Sequence, residues 1–141
     1  MLNEHYITGL IDGEGSFTVY VNDGKPSERK RRTRIEPKFY VKLAEEDKDV
    51  LYRLKEYFGC GQVYFQRDKR PNHKDCYRFE VTKREDLRKI IIPFFKLNPV
   101  QFATKRRDFK IFCEIVSGIE KNEHLTSSGL ARLYQLKQKM H

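Results

Sequence analysis

The sequence predicts an α+β domain in which a four-stranded antiparallel sheet carries helices on one face. Three observations predict it. Four segments, beginning near Ser16, Arg34, Gln62 and Cys76, alternate apolar and polar residues with period two, as strands with one buried face do. They come in two pairs, with helical spacing of apolar residues before each pair and after the second, an order that favours hairpins over a parallel sheet. At 141 residues the chain is long enough for a single domain, 1–141, that buries about two-thirds of its unfolded surface.

The first helix is expected over about 3–14, with Asn3 as N-cap and Glu4 in its first turn. A strand follows from Ser16, turning Phe17, Val19 and Val21 inward and Thr18, Tyr20 and Asn22 outward. Asp23 to Ser27 reads as a loop. In the second strand Ile35, Phe39, Val41 and Leu43 face the core, while Arg34, Glu36, Lys38, Tyr40 and Lys42 face away. Pro37 lies on the core side, which predicts an edge strand or a bulge.

A helix is expected over Glu46–Phe58, ended by Gly59-Cys60-Gly61. The third strand covers Gln62 to Arg67, with Val63 and Phe65 inward and Gln62, Tyr64 and Gln66 outward. Arg70 to His73 reads as a turn, and the fourth strand, Cys76 to Val81, turns Arg78 and Glu80 outward. Thr82 and Glu85 have capping-box spacing for a helix from about Lys83 toward Phe95. Asn98 and Pro99 read as the cap and first residue of the next helix, whose core stripe is Phe102, Phe109, Phe112, Ile115 and Val116. A polar helix closes the chain at about 126–140.

Lys and Arg number 29 against 20 Asp and Glu, a net charge of +9 that suits a polyanionic partner such as nucleic acid. Cys60, Cys76 and Cys113 are odd in number and widely spaced. They read as free thiols in a reducing compartment, with neither disulfides nor a zinc site. No apolar run approaches the roughly 20 residues of a membrane span, and no signal-peptide pattern opens the chain. The expectation is a soluble intracellular protein, of prokaryotic cytoplasm or an organelle.

The stretch Ile7-Thr8-Gly9-Leu10-Ile11-Asp12-Gly13-Glu14-Gly15 carries the chemistry. Gly9 and Gly13 stand four apart, so they share one helix face and leave a strip without side chains. Glycine inside a helix costs up to about 1 kcal/mol relative to alanine, and close approach of a second helix is the reason that fits. Glu14, between two glycines at the helix exit, is an acid placed to hold a metal. The alternative is a plain amphipathic helix ended by Gly15 as a C-cap.

These nine residues, with Ser16 and Phe17 after them, resemble the signature of the LAGLIDADG homing endonucleases. The resemblance runs from about Tyr6 to Val116, through Pro37-x-Phe39-x-Val41, Phe58-Gly59-x-Gly61 and Ile92-Pro93-Phe94-Phe95-Lys96-Leu97, and the signature occurs once. It implies a helix-strand-strand-helix-strand-strand-helix fold and a site-specific double-strand DNA endonuclease that works as a homodimer with Mg²⁺ or another divalent cation such as Mn²⁺. It also implies that Glu14 is the metal ligand, assisted by the Gly13 carbonyl. The family lysine that supports the reacting phosphate falls at Asn98, with Lys96 the alternative. Binding of intron RNA as a maturase, or of DNA without cleavage, remains the competing reading on the same scaffold.

The residues themselves point the same way. A single glycine strip wants a copy of itself, and a twofold dimer through Tyr6, Gly9, Leu10 and Gly13 supplies one. The outward sheet residues mix base-reading side chains with cations, and the major groove admits a two-stranded ribbon. With Lys25, Arg29, Lys30, Arg31, Arg32 and Arg67 they form the expected DNA surface; a solvated face, with a solvated loop at 29–34, is the alternative. Lys105-Arg106-Arg107 read as an ordinary exposed helix face, with contact to backbone phosphates the minor alternative.

Overall fold

A computed structural model describes residues 2–22, 34–67, 69–71 and 74–141. Asn3 caps the first helix, α1 (Glu4–Glu14), its side chain accepting from the Tyr6 N–H at 2.8 Å. The chain passes from Glu14 directly into β1 (Gly15–Asn22), which pairs antiparallel with β2 (Arg34–Ala44) from Gly15 opposite Val41 to Asn22 opposite Arg34. After a short 3₁₀ turn come α2 (Lys48–Phe58), β3 (Gln62–Gln66) and β4 (Cys76–Val81). Gly59 ends α2 at φ 68°, the left-handed conformation that glycine adopts at a helix C-terminus. The sheet order is β1-β2-β4-β3, antiparallel throughout.

The inner face is aromatic. Phe17 lies 5.2 Å from Phe39, 5.2 Å from Phe95, 4.9 Å from Phe109 and 5.5 Å from Phe112, ring centre to ring centre. Those rings come from β1, β2 and two helices, so one side chain joins sheet to helices. Phe39, Phe79, Leu51, Leu54 and Ile115 around it are wholly buried.

Several expectations are corrected. Pro37 lies in an interior strand without a bulge, its register opposite Val19 unbroken. It is tolerated because β4 pairs only with Phe39–Ala44, so β2 is an edge on that side at Pro37. Phe65 is 52% exposed and meets Tyr77 at 5.5 Å, on β3, the outer strand of the sheet. β3 stops at Gln66, one residue before Arg67.

The capping box at Thr82 is not made: Lys83 holds the N-cap place, without a side-chain bond. From there α3 (Arg84–Asp86), a π-helical turn (Leu87–Ile91) and α4 (Ile92–Leu97) run on in sequence. The Ile92 N–H reaches Leu87 O, and this wider turn accommodates Pro93, which has no N–H to give. Asn98 ends α4 instead of opening the next helix, its amide nitrogen donating to Phe94 O at 3.0 Å.

The long helix α5 (Ala103–Glu120) starts four residues after Pro99. Phe102 is therefore outside it and 55% exposed, while Phe112, Ile115, Val116 and Ile119 form the core stripe. The final helix, α6 (Ser127–Gln138), is capped by Thr126 and buries Leu133. The loop expected at Asp23–Ser27, the cations from Arg29 to Arg32, and most of the Arg70–His73 turn's far end (Asn72, His73) lie outside the described residues.

Phe39→Ala removes a ring at the centre of this cluster and is expected to destabilise the fold by about 3–5 kcal/mol, read as a lower urea midpoint with an unchanged slope.

Candidate functional site

Residues two apart on a helix point to nearly opposite sides, and α1 uses this at its last turn. Asp12 turns inward and is 7% exposed, while Glu14, the last helical residue, stands exposed. The final carbonyls of a helix have no partner within it, and the helix dipole places partial negative charge there. Glu14 and the Gly13 carbonyl thus form a set of hard oxygen donors of the kind that suits Mg²⁺. Among the described residues no group of three or more acids, histidines or cysteines could hold a metal alone. Of the two carboxylates in the last turn of α1, Glu14 is the exposed one.

Beside it stands Lys105, a part-buried residue whose Nζ donates to the Gly15 carbonyl, one residue after Glu14. The residues before α5 are tied to α1 as well. The Gln101 N–H donates to both Asp12 oxygens, at 3.0 and 2.9 Å, and the Phe102 N–H to one of them at 3.1 Å. Thr8 on α1 donates its hydroxyl to Asn98 O at 3.4 Å.

Of the two positions offered for the phosphate-supporting lysine, Asn98 has its amide nitrogen engaged by Phe94 O. Lys96 is exposed and acts on the thiol of Cys113, which burial pushes up to about 11 while Lys96 opposes the shift. Cys113 lies eight residues beyond Lys105, about 12 Å along α5. Lys105 is the cation at the end of α1. The sequence places it on an ordinary exposed helix face, because a helix starting at Asn98 would put it well inside that helix. With α5 starting at Ala103 it lies in the first turn, where a lysine opposes the dipole, and such local conflicts mark functional positions.

Gly9 and Gly13 lie on an open face, where a Cβ added at either would meet nothing within 4 Å. Tyr6, on the same helix, is 49% exposed, and Leu10 is half-buried against the core. The close approach expected of the strip is not made inside this chain.

On the outer sheet face the pairing sets rows: Ser16, Tyr40, Glu80 and Gln62 in one, Lys42, Arg78 and Tyr64 in the next. Thr18 lies opposite Lys38, Tyr20 opposite Glu36, and Gln66 opposite Cys76. Glu80 holds two cations, Arg78 at 3.3 Å and Lys38 at 3.9 Å, and the Arg78 guanidinium lies 3.6 Å from the centre of the Tyr40 ring. Tyr20 and Tyr64 are 55% and 49% exposed. Lys42, Gln66 and Arg67 line a pocket of about 230 Å³ with Arg70, a basic residue that the strand pattern left out.

A sequence model of the LAGLIDADG endonucleases matches residues 7–116. The chain belongs to the LAGLIDADG endonuclease family. It is 34% identical over 134 residues to probable intron-encoded endonuclease 3 of Neurospora crassa, covering 94% of this chain but only 24% of that relative. The chain thus spans about a quarter of that relative's length. Among solved structures, the homing endonuclease I-TnaI is 34% identical with a TM-score of 0.83, over 99% of this chain and 88% of that one. The I-SmaMI LAGLIDADG homing endonuclease bound to cleaved DNA is 30% identical with a TM-score of 0.85, over 100% of this chain and 44% of that one. The expected LAGLIDADG fold, an antiparallel sheet under helices, is borne out by these likenesses. Among the described residues no helix is long and apolar enough to cross a membrane.

Glu80→Gln weakens two partly exposed ion pairs and is expected to cost about 1 kcal/mol or less. A shift in thermal unfolding of only a few degrees checks that Glu80 arranges cations and does not hold the fold.

Proposed function

We propose that two copies of this chain form a site-specific DNA endonuclease that cuts both strands of a long, nearly palindromic duplex. The observation that carries this reading is the bond of Lys105 to the Gly15 carbonyl, next in the chain to Glu14, at the foot of an α1 whose glycine strip is open. A twofold axis along that strip brings the Glu14 pair together. Two carboxylates at close quarters repel unless a cation lies between them, so the dimer contact and the metal site are one construction. The likeness to a LAGLIDADG homing endonuclease described as bound to cleaved DNA supports the same reading.

In this arrangement Glu14 and the Gly13 carbonyl hold Mg²⁺ or Mn²⁺. When bound, the ion stabilises charge on phosphate oxygens and lowers the pKa of its water. Lys105 places its ammonium where a scissile phosphate meets the end of α1, with Lys96 and Asn98 bearing on the link that leads to it. Tyr6, Gly9, Leu10 and Gly13 form the self-complementary contact.

The outer sheet face lies in the major groove. Thr18, Tyr20, Asn22, Arg34, Glu36, Lys38, Tyr40, Gln62, Tyr64, Arg78 and Glu80 meet base edges. Lys42, Gln66 and Arg67, with the Lys25 and Arg29–Arg32 cations, meet phosphates and outer bases. Two such faces cover about two turns of duplex, on the order of 20 base pairs.

The test is selection of cleaved molecules from a randomised duplex library with Mg²⁺. A palindrome-like consensus cut only by unmodified protein with metal is the expected result. Glu14→Gln should lower cleavage by about a thousandfold or more and leave duplex binding nearly unchanged; equal loss of both would remove Glu14 from the metal site. Gly9→Leu fills the open strip and should shift sedimentation from dimer to monomer. Enrichment of bound but uncut duplex would leave a DNA-binding protein, and binding only to structured RNA a maturase.

A further inference from the structure

We propose that Asp12, the signature's other acid, is a positioning residue that sets Lys105 against the end of α1. The proposal rests on the cleavage site described above. Asp12 is one of two charged or polar side chains found buried among the described residues. A buried carboxylate is stable only when its oxygens are satisfied, and here both are, by the main-chain N–H groups of Gln101 and Phe102. Its oxygens are thus already engaged by the main chain of the segment before α5.

The segment it binds is held by Val100 in the core and by the Thr8 hydroxyl on Asn98 O, but its last two N–H groups before α5 are held by Asp12. Residues 98–102 lie between α4 and α5, and the N-cap of α5, Phe102, makes no side-chain cap bond. Asp12 supplies the missing anchor from another helix. From Phe102 to Lys105 is less than one helical turn, about 4.5 Å of rise, so the position of the Phe102 N–H sets that of Lys105. The same α1 turn carries Asp12 and Glu14. The two halves of the site, carboxylate and ammonium, are therefore registered to each other through one side chain, over and above the core contacts that α5 makes.

The test uses two readouts on the full chain. In metal-free protein, acylation of lysines by an N-hydroxysuccinimide ester is followed residue by residue with mass spectrometry. Lys105, bonded to the Gly15 carbonyl, should react several-fold more slowly than the exposed Lys110. Asp12→Ala should raise the Lys105 rate toward that of Lys110. Asp12→Asn, which keeps the oxygen shared by both N–H groups, should give an intermediate rate.

With duplex and Mg²⁺, single-turnover cleavage should fall by about a hundredfold in Asp12→Ala, less in Asp12→Asn, with duplex affinity little changed. In a Lys105→Met background the Asp12 substitution should cost almost nothing more, since both act through one contact. A Lys105 labelling rate unmoved in folded Asp12→Ala would overturn the proposal, as would full additivity with Lys105→Met. If Asp12→Ala does not fold, Asp12→Asn is judged by the same criteria. A parent protein that cuts no duplex would overturn the endonuclease reading, and the labelling would still decide the role of Asp12.

Discussion

The passage from helix to strand at Glu14 and Gly15, with no residue between, is the constraint on which the rest depends. A Cβ at Gly15 would lie 2.7 Å from Ile11 Cγ2 and 2.9 Å from Ile11 Cα, the latter a backbone atom that cannot step aside. Only glycine lets the chain double back so closely on its own last turn. The result is an acid fixed at the corner of the sheet, with no loop whose motion would blur its place. Two residues later the same strand delivers Phe17 to the centre of the core.

That short distance couples chemistry to packing. Phe17 touches rings from β2, α4 and α5, so the sheet and both later helices are located by a side chain three positions from Glu14. The polar tie through Asp12 works on the other side of the junction. Apolar contact brings α5 to the sheet, and the directed N–H bonds settle its entry. Neither alone would do both, because dispersion contacts have little directionality and hydrogen bonds contribute only modestly to net stability.

Much of this was legible in the sequence because period-two and helical spacing are local. Asn3 as cap, the alternation from Phe17 to Val21 and from Ile35 to Val41, and the Gly59 stop all follow from residues near in the chain. The misreadings involve partners far away. Pro37 lies in an interior strand and at an edge only toward β4, and the place where β4 stops pairing is not written near it. Asn98-Pro99 has the composition of a helix start, yet the start at Ala103 is anchored by an acid 89 and 90 residues earlier. Lys105 followed that error, since a shift in the helix start changes which turn it occupies.

The outer face of β2 carries a further consequence. Successive outward side chains on one strand are about 6.8 Å apart, the rise of about two base pairs. In the proposed complex, a duplex lying along β2 would be sampled by that strand at every second step, and side chains of β1 and β4 would supply the steps between. A change of target is a change on several strands at once. Glu80, which holds both Lys38 on β2 and Arg78 on β4, binds two of those positions together. If this face reads DNA as proposed, Lys38 and Arg78 would drift together with Tyr20, whose ring centre lies 5.8 Å from the Lys38 ammonium, while Thr18 on the free edge of the sheet could be rewritten alone.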